Sequence, residues 1–311
     1  LGRSFKESQI SLDIFLSVIK SIGWAKRIGN FKSIPKKEIF KMEYWPLERA
    51  KISNKKESNL SGNVVVITGG CGTIGIATAE EFINEGAEVV LLDNDKNNIA
   101  SIPKNIKSKS IIINCDLTNN LMVKKALKKI INTYGGIDII VSNAGRAFEG
   151  EMMNVKAETI KKSYEINFYS HQYISQEAVK IFKKQRLGGL ILFNISKQSI
   201  NPGKNFGPYG LPKSSTLFLM KQYVLEYSKY GIRFNGVNAD RIQSGILNKQ
   251  LIKKRAKARG LSTKNYMKGN LLQTEIMAKD VAKAFLFQAK LTKTTGNVIT
   301  VDGGNIEASL R

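Results

Sequence analysis

The sequence predicts an α/β fold, a doubly wound sheet of seven parallel strands with helices on both faces, behind a short helical N-terminal extension. Three observations predict it. From Leu60 onward, short β-rich runs alternate with helical stretches, as parallel strands joined by helical crossovers must. The first such run leads through a glycine-rich turn into a helix, and the second ends in an acid. No run of eighteen or more apolar residues interrupts the pattern, so no membrane span is expected.

The strands are expected at Asn63–Thr68, Glu88–Asp93, Ser110–Cys115, Ile137–Ser142, Gly189–Ile195, Arg233–Val237 and Val298–Val301. Residues 1–60 differ in character. Ser11 to Ile28 has Leu12, Phe15, Ile19 and Ile22 at helical spacing, followed by the aromatic stretch "KMEYWPLERAKI" with Pro46 and the polar linker "SNKKESN". Sixty residues of this kind bury little surface alone, so they are expected to pack on residues 61–311 or on another subunit.

Composition narrows the function. The chain has 311 residues, 42% of them hydrophobic, enough for a core. Its two cysteines, Cys71 and Cys115, do not suit a disulfide scaffold, and a reducing cytoplasm is the expected compartment. The first residue is Leu and no short apolar stretch follows a basic start, so no secretory leader is expected. The formal charge is +24, but 39 of the 49 basic residues are Lys spread along a chain rich in Ile and Asn, as AT-rich codons specify. With no arginine-rich tract and no nucleic-acid module, nucleic acid is not the expected main partner.

In "VVVITGGCGTIGIATAEEF" the strand ends at Thr68 and the turn carries Gly69, Gly70, Gly72 and Gly75. Glycine is needed where a backbone turns sharply against a pyrophosphate, and the following helix offers free N–H groups to it. Gly69, Gly72, Thr73, Ile74 and Gly75 are therefore candidate cofactor contacts, and the fold is of the Rossmann type. Asp93 ends the second strand, where a carboxylate accepts from ribose hydroxyls and repels a 2′-phosphate, so NAD is expected in preference to NADP. Asp116 and Leu117 in "CDL" are placed for the adenine, and Asn143, Ala144 and Gly145 in "NAG" leave room for a cofactor over the fourth strand.

Hydride transfer to or from a carbinol needs a proton acceptor and a group to hold the oxygen. A Tyr phenol is a poor base at neutral pH unless a cation lies beside it. Tyr209 and Lys213 stand four residues apart on one helix face, and Ser196 closes the strand "LILFNIS" at the same sheet edge.

Together these residues resemble the short-chain dehydrogenase/reductase family, from about Leu60 to Arg311. The resemblance implies that Ser196, Tyr209 and Lys213 are catalytic, and that Asn167 in "YEINFYS" holds a water linking Lys213 to solvent. It also covers the "VDGG" at Val301 to Gly304 and implies a homodimer or homotetramer. More narrowly, "SKQSINPGKNFGPYG", "VNADRIQSGI" and "TKTTGNVITVDGG" resemble the dehydrogenase half of bifunctional rhamnulose-1-phosphate aldolase/alcohol dehydrogenase proteins. That implies NAD-dependent oxidation of lactaldehyde or a related small hydroxy-aldehyde or sugar, with residues 1–60 as the tail of an aldolase domain. A separate aldolase chain is then a candidate partner.

Four residues depart from these patterns. Thr73 replaces a glycine, Ala239 replaces a proline after the sixth strand, and Pro212 is expected to distort the start of the catalytic helix. His171 is the single histidine, expected as a surface or packing residue. An aldolase of that type binds zinc through several histidines, so neither a metal nor aldolase activity is expected of this chain. Residues 241–270 form a basic insertion expected to cover the substrate, with Arg241, Lys253, Lys254, Arg255 and Arg259 as candidates for an anionic group, although the charge of the whole chain favours a solvated helix face for them. Two other readings stay open: an NADP-dependent carbonyl or 3-oxoacyl reductase, and a non-catalytic protein of this fold that binds RNA or a partner subunit.

Overall fold

The computed structural model describes residues 5–43, 58–245 and 247–304, so most of the aromatic stretch and linker expected at 41–59 lies outside the described residues. The chain divides into two compact units, Leu1–Gly62 and Asn63–Arg311. In the first, helix α1 spans Phe5–Ile28 and α2 spans Lys36–Glu43. Helix α1 begins earlier than Ser11, and Leu12, Phe15 and Ile19 on it are exposed, as are Ile10, Ile14 and Trp24. No described helix is long and apolar enough to cross a membrane.

The second unit is a sheet of seven parallel strands in the order β3-β2-β1-β4-β5-β6-β7. They are β1 Val64–Thr68, β2 Glu88–Asp93, β3 Ser110–Asn114, β4 Ile139–Ser142, β5 Gly189–Ser196, β6 Ile232–Ala239 and β7 Val298–Val301. The order reverses between β1 and β4, which opens a crevice at the carboxyl ends of the strands. The strand expected at Ile137 begins two residues later; a side chain takes both backbone partners of Ile137, while the Asp138 N–H and carbonyl keep backbone partners in Val64 and Leu190. The Gln185 amide accepts from the Ile137 N–H at 3.0 Å and donates to its carbonyl at 2.8 Å, and the Asp138 carboxylate accepts from the Val64 N–H at 2.7 Å.

Alternation along the strands divides the core. Val64 and Val66 of β1, with Val90 and Leu92 of β2, pack into one large cluster, while Val65, Ile67, Val89 and Leu91 are buried but point the other way. That cluster takes its helical side from α4 (Asn120–Tyr134), α6 (Ser170–Gln185) and α7 (Gly207–Tyr227). On the other side, α3 (Thr73–Asn84) packs against α10 (Ala278–Lys290). Both sheet faces being covered, central strands read as continuous apolar runs.

Helix α5 (Ala157–Tyr164) joins α6 through a π-helical turn at Glu165–Tyr169, which holds Asn167. Such turns shift the helical phase by one residue and recur at functional sites. In α7 the expected distortion at Pro212 does not break the helix, which runs unbroken from Gly207 to Tyr227. Pro208 occupies the first turn, where its missing N–H is not needed, and Pro212 removes a single bond one turn later.

Phe182 is 1% exposed in the large cluster, so Phe182→Ala is expected to cost about 3–5 kcal/mol of stability. Urea denaturation monitored by circular dichroism would measure it.

Candidate active site

The carboxyl ends of β1, β4 and β5 are tied together by polar groups. The Thr68 hydroxyl accepts from the N–H groups of Asn143 (2.9 Å) and Ala144 (3.1 Å). The Asn143 amide donates to the carbonyls of Thr68 (3.1 Å) and Gly69 (3.2 Å), and its oxygen accepts from the Asn194 amide at 2.8 Å. Asn194 in turn presents its carbonyl to Lys213 at 2.9 Å. Asn194 was not among the expected site residues; its position two residues before Ser196, side chain toward β4, is set by strand pairing.

Among the glycines, two are required by close approach. Gly69 has φ +58°, and a Cβ there would lie 2.9 Å from the Ala144 backbone. A Cβ on Gly75, in the first turn of α3, would lie 2.7 Å from Gly70. The N-cap of α3 is Gly72, with no side-chain cap and no acid in the first turn. The Thr73 side chain is exposed, so it stands where a glycine was expected without obstructing the turn. A cradle that any Cβ would fill, beside uncapped helix N–H groups, fits the phosphates of a dinucleotide.

Asp93 is buried at the end of β2, and its carboxylate accepts from the N–H groups of Cys71 (3.0 Å) and Asp95 (3.0 Å). It therefore shapes the glycine loop while keeping lone pairs for a ribose. Burial, with Asp93 and Asp95 adding to it, pushes the Cys71 thiol up to about 12, so Cys71 is no nucleophile at neutral pH. Asp116 accepts from the Thr118 N–H (3.0 Å) and hydroxyl (2.8 Å), capping the turn after β3. Leu117, expected at the cofactor, is 8% exposed and its side chain belongs to the core. Ala144 and Gly145 follow Asn143 over the end of β4, next to Gly69.

Ser196 closes β5, where its hydroxyl accepts from the Gln198 N–H at 3.3 Å, beside Tyr209. Tyr209 lies in the first turn of α7 with the Phe206 ring edge-on at 6.0 Å, and Lys213 Nζ lies 5.9 Å from the Tyr209 ring centroid. Burial pushes the phenol up to about 12, opposed by the nearby Ser196 hydroxyl, and burial pulls Lys213 down to about 7. The Asn167 side chain is committed to the backbone of Arg146, accepting at 3.0 Å and donating at 2.9 Å, and donates to Ser163 at 3.1 Å. The Thr216 hydroxyl, with its single proton, lies between the carbonyls of Asn167 (2.8 Å) and Pro212 (2.9 Å).

His171 is wholly buried, with Nδ1 2.6 Å from the Ser142 hydroxyl and Nε2 3.3 Å from Lys213 Nζ. It thus does more than fill space, contrary to the expectation of a surface or packing residue. Sequence spacing had no means of relating it to Lys213, which is 42 positions away. Among the described residues no group of His, Cys, Asp and Glu is arranged to hold a metal.

In front of Ser196 and Tyr209 lies a cavity of about 100 Å³, bounded by Ile74 from α3, Phe206, and Arg255 from the basic insertion. The insertion forms α8 (Lys249–Lys257) and α9 (Thr263–Met267) around a small core of Ile252, Ala256, Tyr266 and Met267. Arg255 lies 3.7 Å over the Phe206 ring and 3.4 Å from Glu149. Arg241 also borders the cavity, held by Asp240 (3.6 Å) and the carbonyls of Tyr266 and Gly269. Lys253, Lys254 and Arg259 are exposed, so only two of the five basic candidates face inward.

Residues 63–255 match the short chain dehydrogenase family, and residues 1–52 match the second domain of class II aldolases. The chain is 33% identical over 321 aligned positions to the Bacillus subtilis (strain 168) "Uncharacterized oxidoreductase YuxG", covering 97% of this chain and 46% of that one. It thus spans about half the length of that relative. It is 30% identical to the Erythroxylum coca "Tropinone reductase-like 1", with 79% and 90% covered. Among solved structures, the ligand-free Thermoplasma acidophilum aldohexose dehydrogenase is 27% identical with a TM-score of 0.68, covering 80% of this chain and 96% of that one.

Two outcomes are expected from this geometry. Gly69→Ala forces a positive φ on a side-chain-bearing residue and meets Ala144, so it should lower both thermal stability and the affinity for a nicotinamide dinucleotide measured by fluorescence titration. Lys213 binds fewer protons folded than unfolded between about 7 and its ordinary 10.5. Its unfavourable contribution is therefore complete below that window and relieved as pH rises through it. Urea denaturation at several pH values should show the wild type gaining stability relative to Lys213→Met across the window.

Proposed function

The chain belongs to the short-chain dehydrogenase family, and on that premise we propose that it moves a hydride between NAD and a small hydroxy-aldehyde, sugar or other alcohol, with Tyr209 as acid/base. The observation that carries this reading is the Tyr209 phenol beside Ser196 on the wall of the cavity, with Lys213 buried and its Nζ 5.9 Å from the ring centroid. The nicotinamide, when bound, supplies or receives the hydride. Every other part falls to the chain. Ser196 holds the reacting oxygen through its hydroxyl. Tyr209, which keeps its proton at neutral pH in the chain alone, gives it to a carbonyl during reduction; during oxidation it takes the carbinol proton as cationic charge beside it favours the phenolate. Lys213 is the chain's own source of that charge.

The cofactor is held, on this reading, by the first turn of α3 and Gly69, by Asp93 at the ribose, by the Asp116 turn and by Asn143 to Gly145. The Asp93 carboxylate supports NAD over NADP, because a 2′-phosphate beside it would be repelled. The Asn167 amide is committed elsewhere, so any part it takes in proton release falls to its main-chain carbonyl. Arg255 and Arg241 on the border of the cavity suit hydroxyl-rich or anionic groups of a substrate. Residues 1–52 contain no histidine, so they supply no imidazole to an aldolase zinc. The reading extends to a homodimer or homotetramer, and to a separate aldolase chain meeting the exposed apolar residues of α1.

A panel of small hydroxy-aldehydes and sugars assayed by NADH absorbance tests the activity. Tyr209→Phe is expected to lower kcat/KM by about 10²-fold or more while NAD still binds. Turnover undiminished in that variant, or no NAD binding by the wild type, would sink the proposal. For cofactor choice, kcat/KM should favour NAD, and Asp93→Ser should narrow its lead over NADP.

A further inference from the structure

His171 is the single histidine of the chain, wholly buried, and both ring nitrogens are engaged. It enters the site from α6, behind the helix that carries Tyr209 and Lys213. Resting on the acid/base reading above, we propose that His171 is a positioning residue for Lys213. It is a neutral imidazole, protonated on Nδ1 toward Ser142, whose bare Nε2 accepts one N–H of the ammonium and so sets the aim and the charge of the lysine.

Counting donors and acceptors leads to this assignment. An ammonium has three N–H donors and no lone pair. The Asn194 carbonyl, which only accepts, takes one at 2.9 Å. The imidazole takes a second at 3.3 Å, which requires Nε2 to carry no proton and puts the ring proton on Nδ1, 2.6 Å from Ser142 Oγ. One donor is left, for the side where Tyr209 stands.

The groups facing Lys213 are Tyr209 from its own helix, His171 from α6 and the Asn194 carbonyl from β5, with the uncharged Ser142 of β4 behind the imidazole. A carboxylate in place of His171 would compete with the phenolate for the lysine's charge. An apolar residue would leave a buried donor unpaired. A neutral imidazole avoids both, and it is kept neutral: burial, then the charge of Lys213, hold it well below the usual 6.5 against the opposing pull of the Ala144 backbone. Burial already opposes the ammonium, so loss of one acceptor would favour the neutral amine further.

Because the chain has one histidine, its two ring nitrogens give unambiguous signals in long-range ¹H–¹⁵N correlation spectra of the histidine-labelled full chain. The expected result is a protonated Nδ1, an Nε2 that takes up no proton through the range of an ordinary imidazole, and an Nε2 resonance that moves, without being protonated, as Lys213 loses its proton. In Lys213→Met that movement should vanish. An Nε2–H tautomer, an ordinary imidazole titration, or an Nε2 signal indifferent to Lys213→Met would overturn the inference, and none of these needs a substrate.

The kinetic arm uses whichever alcohol of the panel turns over. In the oxidative direction, His171→Leu should move the limb that reports Tyr209 ionisation to higher pH and lower kcat at neutral pH roughly tenfold or more, with KM for NAD little changed. His171→Gln places an amide oxygen where Nε2 was and should restore most of the loss. Equal losses in the Leu and Gln variants, with no movement of the pH limb, would reduce His171 to a packing role and overturn the proposal. The expected tautomer together with activity indifferent to Tyr209→Phe would instead sink the acid/base reading and leave the imidazole–lysine contact standing.

Discussion

The polar clamp across the ends of β1, β4 and β5 is the constraint on which the site depends. Thr68, Asn143 and Asn194 each satisfy a neighbour's backbone or side chain, and the chain of bonds ends at the carbonyl that receives Lys213. Buried polar groups of this kind are costly unless fully paired, so the arrangement admits few alternatives. It fixes the glycine loop against Ala144 on one side and the ammonium on the other. The glycine loop and Lys213 are therefore positioned by one network.

Burial sets the electrostatics of that network. It raises the phenol of Tyr209, lowers the amine of Lys213 and keeps His171 neutral, all opposing the charged forms. A site poised this way responds strongly to any charge brought in beside it, because little solvent screens the interaction. The overall charge of +24 plays no comparable part. Most of the lysines are solvated, and the inward-facing cations of the insertion are Arg255, stacked on Phe206, and Arg241, held by Asp240.

Much of the fold was legible in local pattern. Strands buried on both faces form continuous apolar runs, and the glycine turn before α3 marks the first crossover, so strand order of appearance and the crevice were expected from sequence. At the start of β4 a distant side chain moved the boundary: Gln185 took both backbone partners of Ile137. Pro212 looked disruptive because local rules penalise it, yet one missing bond in a helix of 21 residues, packed on the core through Leu217 and Met220, is easily tolerated.

By itself the sequence determined the sheet, the glycine cradle and the candidate set of Ser196, Tyr209 and Lys213, since each is written in short-range spacing and residue type. Only the tertiary structure decided that Leu117 belongs to the core, that Asn167 spends its amide on the Arg146 backbone, that Arg255 faces inward while Lys253 does not, and that His171 lies under Lys213. The physical reason is common to all four. Helical and strand periodicities say which face a side chain takes, but which buried donor meets which acceptor depends on how separate elements pack, and that information is spread over residues far apart in the chain.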